Sequence, residues 1–253
     1  MNPKIHVLIL NWNGSKYLDK CINSIRQNNY SNYDITIIDN NSNDNSLEKI
    51  KKLGISLISH PQNYKYAKGY NEAIFNFKND DSDYYLLLNN DIICDSNLIN
   101  SFIEGINNYG SNCIMGAKIF DAKNKDRIWY AGGKFGFFNF FVSHYGIRKK
   151  NSIQYDNDYK TSYITGCCLL ISKENFHKLK GFNESFNMYG EDVDLCIRAQ
   201  NIGINCYYIN KAQLWHYISS SYGGSYSLSK NIRKFNSLFK LILKYPKKIF
   251  FNL

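Results

Sequence analysis

Residues 6–42 read HVLILNWNGSKYLDKCINSIRQNNYSNYDITIIDNNS. The run His6–Leu10 is continuous, apolar and β-branched, as a buried strand requires. In Tyr17–Ile25 the apolar residues Leu18, Cys21, Ile22 and Ile25 recur at helical spacing, and Asp34–Ile38 is a second strand pattern. Strand, helix, strand is the unit from which parallel sheets are built. Both runs end in polar clusters, Asn11-Trp12-Asn13-Gly14 and Asp39-Asn40-Asn41-Ser42.

Outward from this unit the alternation continues. Asn45 with Glu48 three residues on has the form of a capping box opening a short helix. Ile55–Ile58 reads as a third strand, Ala67–Phe77 as a helix, and Tyr84–Leu88 as a fourth strand ending in Asn89-Asn90-Asp91. The expected fold is α/β, a mostly parallel Rossmann-like central sheet flanked by helices. After Tyr109 the pattern becomes strands and glycine turns: Cys113–Phe120, Ile128–Tyr130, an aromatic patch from Phe135 to Phe141, the long apolar segment Thr161–Ser172, a helix over Asp192–Gln200 and a strand over Asn205–Ile209. No linker-like stretch divides the halves, so about 1–110 and about 111–225 are expected to form one domain, 1–225. The remainder, 226–253, holds a basic amphipathic helix, Leu228–Tyr245, stopped by Pro246.

Composition narrows the function. The chain has 253 residues, 44% hydrophobic and 16% aromatic, which excludes disorder and fibrous classes. Its apolar runs are too short to span a bilayer, and Met1–Lys4 lack the features of a secretory leader, so a cytoplasmic location is expected. Seven Cys without a C-x-x-C pair read as reduced, buried thiols. A net charge of +10 suggests an anionic partner, whether nucleic acid, a phosphorylated small molecule or an acidic membrane surface, or reflects codon bias alone. No DNA- or RNA-binding motif is present, so no specific nucleic-acid partner is expected. Dinucleotide-binding and P-loop glycine patterns are also absent.

Ligands of open α/β sheets bind beyond the carboxyl ends of the strands. Asp91, just past an apolar strand, suits Mg²⁺ or Mn²⁺ accompanying a nucleoside diphosphate, or else is a turn residue. Asp39 is placed to accept the imide N–H of a pyrimidine, or else forms an Asx-turn with Asn41. Glu191 and Asp192 stand at a helix start, where one carboxylate serves as general base or both simply complement the helix dipole. His216 precedes the stretch Ser219–Ser225, which is rich in glycine and serine and suited to closing over a diphosphate.

In order along the chain these pieces resemble glycosyltransferase family 2, the inverting GT-A enzymes, and especially its bacterial rhamnosyltransferase-like members. The motifs are Val7–Gly14, Ile38–Ser42, Asn63–Asn71, Leu87–Asp91, Thr165-Gly166, Gly181–Glu184, Glu191–Leu195 and His216. The resemblance extends to about Tyr226. It implies a GT-A fold and transfer of a hexose, with rhamnose favoured, from a dTDP- or UDP-sugar onto a cell-surface glycan or lipid-linked acceptor. It implies that Asn11, Trp12, Asn13, Asp39, Asn41, Lys68, Gly69, Asn71, Asn89 and Asn90 lie along the nucleotide. Asp91 and His216 would hold Mg²⁺ or Mn²⁺, and Asp192 would be the catalytic base with Glu191 beside it. Asn89 departs from the family pattern, which has an acid there. Trp129, Gly166, Met188 and Tyr189 are candidates for the acceptor or sugar side, the aromatic residues serving either to stack on sugars or as a second small core. The helix 228–245 would rest on an anionic membrane surface or pack on the domain. A catalytically silent GT-A glycan-binding or scaffold domain is the alternative; loss of Asp91, Asp192 or His216 would favour it, and all three are present.

Overall fold

A computed structural model describes residues 2–136, 141–186, 188–218 and 228–251. Its first half is built from β1 (Ile5–Asn11), α1 (Ser15–Arg26), β2 (Tyr33–Asp39), α2 (Ser46–Leu53), β3 (Ser56–Ser59), α3 (Lys65–Phe75) and β4 (Tyr84–Asn89). These strands lie parallel in the order β4-β1-β2-β3. Each βαβ connection buries its helix on the sheet: α1 turns Leu18, Cys21, Ile22 and Ile25 inward, the stripe read from sequence. The register pairs Asn11 with Asp39 and Leu10 with Asn89, so three polar strand ends fall in one row. Because β1 connects to β2 on one side and has β4 on the other, the topological switch point lies between β1 and β4.

The capping box at Asn45 does not form. Asn45 has near-helical backbone angles and its side chain makes no cap; Asp44 Oδ1 instead accepts the Ser46 N–H at 2.9 Å. The helix stops at Gly54, whose left-handed φ of +61° glycine adopts without strain.

The second half extends the same sheet. After β5 (Ile92–Cys94) and α4 (Leu98–Tyr109) come β6 (Cys113–Asp121), β7 (Ile128–Tyr130), the hairpin β8 (Gly133–Gly136) and β9 (Phe141–His144), β10 (Tyr159–Lys160) and β11 (Cys168–Ser172). Strand β11 inserts antiparallel between β4 and β6, so only Cys168–Ser172 of the long apolar segment is strand. Helices α5 (Lys173–Lys178) and α6 (Glu191–Asn201) precede β12 (Asn205–His216), which runs parallel to β6. The strand expected to stop at Ile209 continues through a bulge: Ile209 faces Ala117, and Gln213 faces the next residue, Lys118. Beyond the bulge β12 pairs with β5, placing His216 opposite Ile92. Helix α7 (Leu228–Lys244) follows, and Pro246 opens α8 (Pro246–Phe251) rather than only ending α7, because proline suits a first helical turn.

The core is continuous across the sheet, from Val7, Ile9 and Ile37 through Leu86 and Leu88 to Ile114, Leu170 and Leu214. All seven cysteines are buried free thiols. Burial pushes Cys21 and Cys113 up to about 12 and holds Cys94, Cys167 and Cys196 well above the ordinary thiol value. No helix among the described residues is long and apolar enough to cross a membrane.

Candidate active site

The strand ends are tied by a buried amide–carboxylate network. Asn11 Nδ2 donates to Asp39 Oδ1 at 2.8 Å and to Ser42 Oγ at 3.1 Å, and Asn90 Nδ2 donates to Asn11 Oδ1 at 2.7 Å. Ser42 donates its hydroxyl to Asp39 Oδ1 at 2.6 Å and its N–H to Asp39 Oδ2 at 2.9 Å. Both Asp39 oxygens thus accept from protein donors, and the residue is only 1% exposed. The turn at Asp39 closes on Ser42 rather than Asn41. Gly14 lets the chain pass over this network: a Cβ there would overlap Asn90 Nδ2 and Asn11 Oδ1.

Beside the network opens a cleft of about 690 Å³, a size suited to a small-molecule ligand. Its polar end is lined by Trp12, Asn40, Lys65, Asn89, Asn90 and Asp91. Asp91 Oδ1 and His216 Nε2 approach to 3.1 Å, and both residues are buried. The β5–β12 pairing makes this approach, with the Tyr217 N–H donating to the Asp91 carbonyl at 2.9 Å. Trp129 packs edge-on against both His216 and His144, with ring centroids 4.8 and 4.5 Å apart.

The opposite wall carries the carboxylate pair. Tyr189 (φ +71°) and Gly190 (φ +90°) turn the chain into α6, and a non-glycine residue in that conformation is strained. The turn presents Asp192, whose Oδ2 accepts the Gly166 N–H at 3.0 Å and whose Oδ1 accepts the Val193 N–H at 2.8 Å. Gly166 is fixed in turn by Tyr66, whose hydroxyl donates to its carbonyl at 2.6 Å. Glu191 is buried, and burial, followed by the adjacent Asp192 charge, pushes its carboxyl up to about 8; burial also raises Asp192. Four buried polar atoms on the cleft residues Asn40, Tyr163, Glu191 and His216 lack a hydrogen-bond partner among the described residues: Asn40 Oδ1, the Tyr163 hydroxyl, Glu191 Oε2 and His216 Nδ1. Such atoms are rare in folded proteins, and their convergence on one cleft marks it as a ligand site.

Of the residues singled out from sequence, Trp12, Asn89, Asn90, Asp91, Trp129, Gly166, Met188, Tyr189, Glu191, Asp192 and His216 line this cleft. Asn11 and Asp39 stand behind it in the network. Asn13 and Asn41 are exposed turn residues with φ of +51° and +60°. Lys68 lies over the Tyr64 ring, and Gly69 is the close approach of α3 to Leu10 and Asn40. Asn71 is committed elsewhere: it donates to the Phe182 carbonyl at 2.8 Å and to Glu184 at 3.0 Å, fastening α3 to the loop before α6. Residues 137–140 of the aromatic patch and the stretch Ser219–Ser225 lie outside the described residues. Sequence reasoning assigned no role to Ser42, Tyr66 or Tyr163. Ser42 was within reach, since it closes the Asp39 turn; Tyr66 and Tyr163 meet their partners only through the fold.

A pair of one carboxylate and one imidazole fits a divalent cation that takes the rest of its shell from ligand oxygens and water, not a closed structural site. No group of three or more His, Cys, Asp or Glu that could hold a metal occurs among the described residues.

A family model described as Glycosyl transferase family 2 matches residues 6–180, and one described as N-terminal domain of galactosyltransferase matches residues 146–221. Rhamnosyltransferase WbbL of Escherichia coli K12 is 24% identical over 227 residues, covering 84% of this chain and 83% of that protein. N-acetylglucosaminyl-diphospho-decaprenol L-rhamnosyltransferase of Mycobacterium tuberculosis is 36% identical over 61 residues, 24% of this chain and 20% of that one. The solved structure of GalNAc-T7 with UDP, GalNAc and Mn²⁺ superposes with a TM-score of 0.75 at 15% identity over 95% of this chain, which spans about half of it (48%). At that identity the likeness is one of fold.

Proposed function

The chain belongs to glycosyl transferase family 2, has the GT-A fold and is a glycosyltransferase using a nucleotide-sugar donor, and on that footing we propose that it inverts the donor's anomeric centre while moving rhamnose, or another hexose, from a dTDP- or UDP-sugar onto a glycan or lipid-linked acceptor. The observation that carries this reading is that Asp192 and the Asp91–His216 pair line one cleft at the sheet's switch point.

In this reading the nucleotide lies at the polar end, beside Trp12, Asn89 and Asn90, with Asn11 and Asp39 holding that floor rigid. Asp39 would reach a base only by adding a further acceptor contact to those it already makes. The acceptor hydroxyl approaches Asp192, which has spare lone pairs on both oxygens beyond the two N–H bonds it accepts. Burial makes Asp192 a stronger base than a solvated carboxylate. Asp192 takes the hydroxyl proton, the acceptor oxygen bonds to the anomeric carbon, and the bond to the diphosphate oxygen breaks with its electron pair on the departing nucleoside diphosphate. Burial, followed by the Asp192 charge, disfavours the ionised form of Glu191 and so opposes a second negative charge beside that base. Asp91 and His216 would hold Mg²⁺ or Mn²⁺, which, when bound, neutralises charge on the leaving diphosphate. Trp129, against His216, and Met188 and Tyr189, ahead of α6, flank the side assigned to the sugar and acceptor.

The test is a melting-temperature screen against dTDP- and UDP-sugars with Mn²⁺, Mg²⁺ or EDTA, followed by transfer assays with NMR of the product anomer. A rise that needs the metal, one donor and an inverted product are expected. Donor binding without transfer to any acceptor would favour the catalytically silent alternative, and no binding even with acceptors present would overturn the site.

A further inference from the structure

Helix α7 is apolar on two faces. Its inner face belongs to the protein: Leu241 is 1% exposed, Leu238 and Ser237 line the cleft, Ser237 Oγ donates to the Met188 carbonyl at 3.0 Å, and Lys240 donates to the Ser185 carbonyl. The outer face carries Ile232, Phe235, Phe239 and Leu243, which are 52%, 68%, 54% and 66% exposed. Spacings of three, four and four residues put them in one stripe about 16 Å long. Aromatic and branched side chains held in water along three helical turns are unusual on a protein surface unless something covers them.

Charge indicates what covers this face. The segment 228–251 carries seven Lys and Arg residues and no Asp or Glu, with Lys234 at the cleft and Lys240 and Lys244 turned to Ser185 and Asp194, while the whole chain has a net charge of +10. No acid follows Asp194 in the sequence. A second copy of this chain would bring the same positive segment to an isologous contact and repel it. An apolar stripe set in a purely basic segment is the pattern of a helix lying in the plane of an anionic lipid surface, with acyl chains receiving the stripe and headgroups the bases.

We propose that α7 docks the protein on an anionic bilayer through Ile232, Phe235, Phe239 and Leu243. Because the inner face of the same helix walls the cleft, docking holds the cleft one helix thickness, about 10 Å, from the acyl chains and so at headgroup level. This inference goes beyond the transfer reading and does not depend on it, since membrane binding needs neither donor nor acceptor.

The test is flotation of the full chain with phosphatidylcholine vesicles with and without phosphatidylglycerol, at low and high salt. Binding is expected only with phosphatidylglycerol and should weaken with salt. The double variant Phe235→Ser/Phe239→Ser should lose tenfold or more of the partitioning, in line with ~0.8 kcal/mol per buried methylene. It should melt close to the wild-type temperature, because both side chains are more than half exposed. Charge reversal at Lys247, Lys247→Glu, should cost about fivefold or more, from ~1 kcal/mol per base. Equal binding to both vesicle types, no binding to either, or an unaffected double variant would overturn the proposal. So would a wild-type dimer in solution that the double variant converts to monomer.

Discussion

Asp192 and Glu191 are neighbours in sequence with different surroundings. Asp192 reaches the cleft on two backbone N–H groups, whereas Glu191 is buried with one oxygen lacking a partner among the described residues. Asp192→Asn should lower kcat about a hundred- to ten-thousandfold, the worth of a general base, with donor affinity nearly unchanged by calorimetry; equal loss of both would make Asp192 a binding residue. Glu191 has its ordinary value of 4.5 unfolded and about 8 folded, so its burial is harmless in acid and costs increasing stability as pH rises between those values. Glu191→Gln should therefore gain stability on the wild type from pH 5 to pH 8 in urea melts. Gly14→Ala should force apart the Asn11–Asn90 amide pair, costing about 1–3 kcal/mol and weakening donor binding more than turnover. Asp91, Asp192 and His216 could be singled out from sequence because each follows a strand or opens a helix. Tyr66 could not, because its partner Gly166 lies 100 residues away.

Among the elements, α7 is fastened at its C-terminal end by a buried acid. Asp194 is fully buried and receives Arg198 Nε at 2.7 Å, Lys244 Nζ at 2.6 Å and the Tyr245 hydroxyl at 2.7 Å. Burial raises its carboxyl, but the Lys244, Arg198 and Tyr245 hydrogen bonds outweigh that and hold it below the usual 3.8. With the folded value depressed, this stabilisation is complete above the usual value and is lost as pH falls below it. Amide exchange in α7, divided by the intrinsic rate at each pH, should thus be flat through neutral pH and rise below about pH 4. Asp194→Asn should speed it at pH 7 and cost about 2–3 kcal/mol, less than a wholly buried pair because Lys244 keeps partial solvent. The parallel strands β1 to β4 were readable because each is a short apolar run between turn signals. The antiparallel insertion of β11, the β5–β12 pairing and the bulge in β12 were not, since pairing partners are set by tertiary contact and leave no local periodicity. The bulge matters most for function, because the strand it prolongs delivers His216 to Asp91.

For the molecule as a whole, one ten-stranded sheet joins both halves of the chain, since the strands ending in Asn11, Asn89 and His216 belong to it. Separating the halves means breaking that sheet. Unfolding should therefore occur in one transition, with calorimetric and van't Hoff enthalpies equal; two resolved transitions would indicate that 1–110 and 111–225 unfold independently. The fold class was legible at this scale from alternation alone. The closure of the cleft by α7 was not, because amphipathicity marks an apolar face without naming its partner. The buried cysteines extend the same point. Distributed over β5, β6, β11, β12, α1 and α6, with one just before β11, they are held away from solvent, so a maleimide reagent can reach them only when the sheet opens. The native protein thus contains a chemical clock for its own opening. Labelling of all seven at one common rate would report global unfolding, and early labelling of any one would locate the strand or helix that yields first.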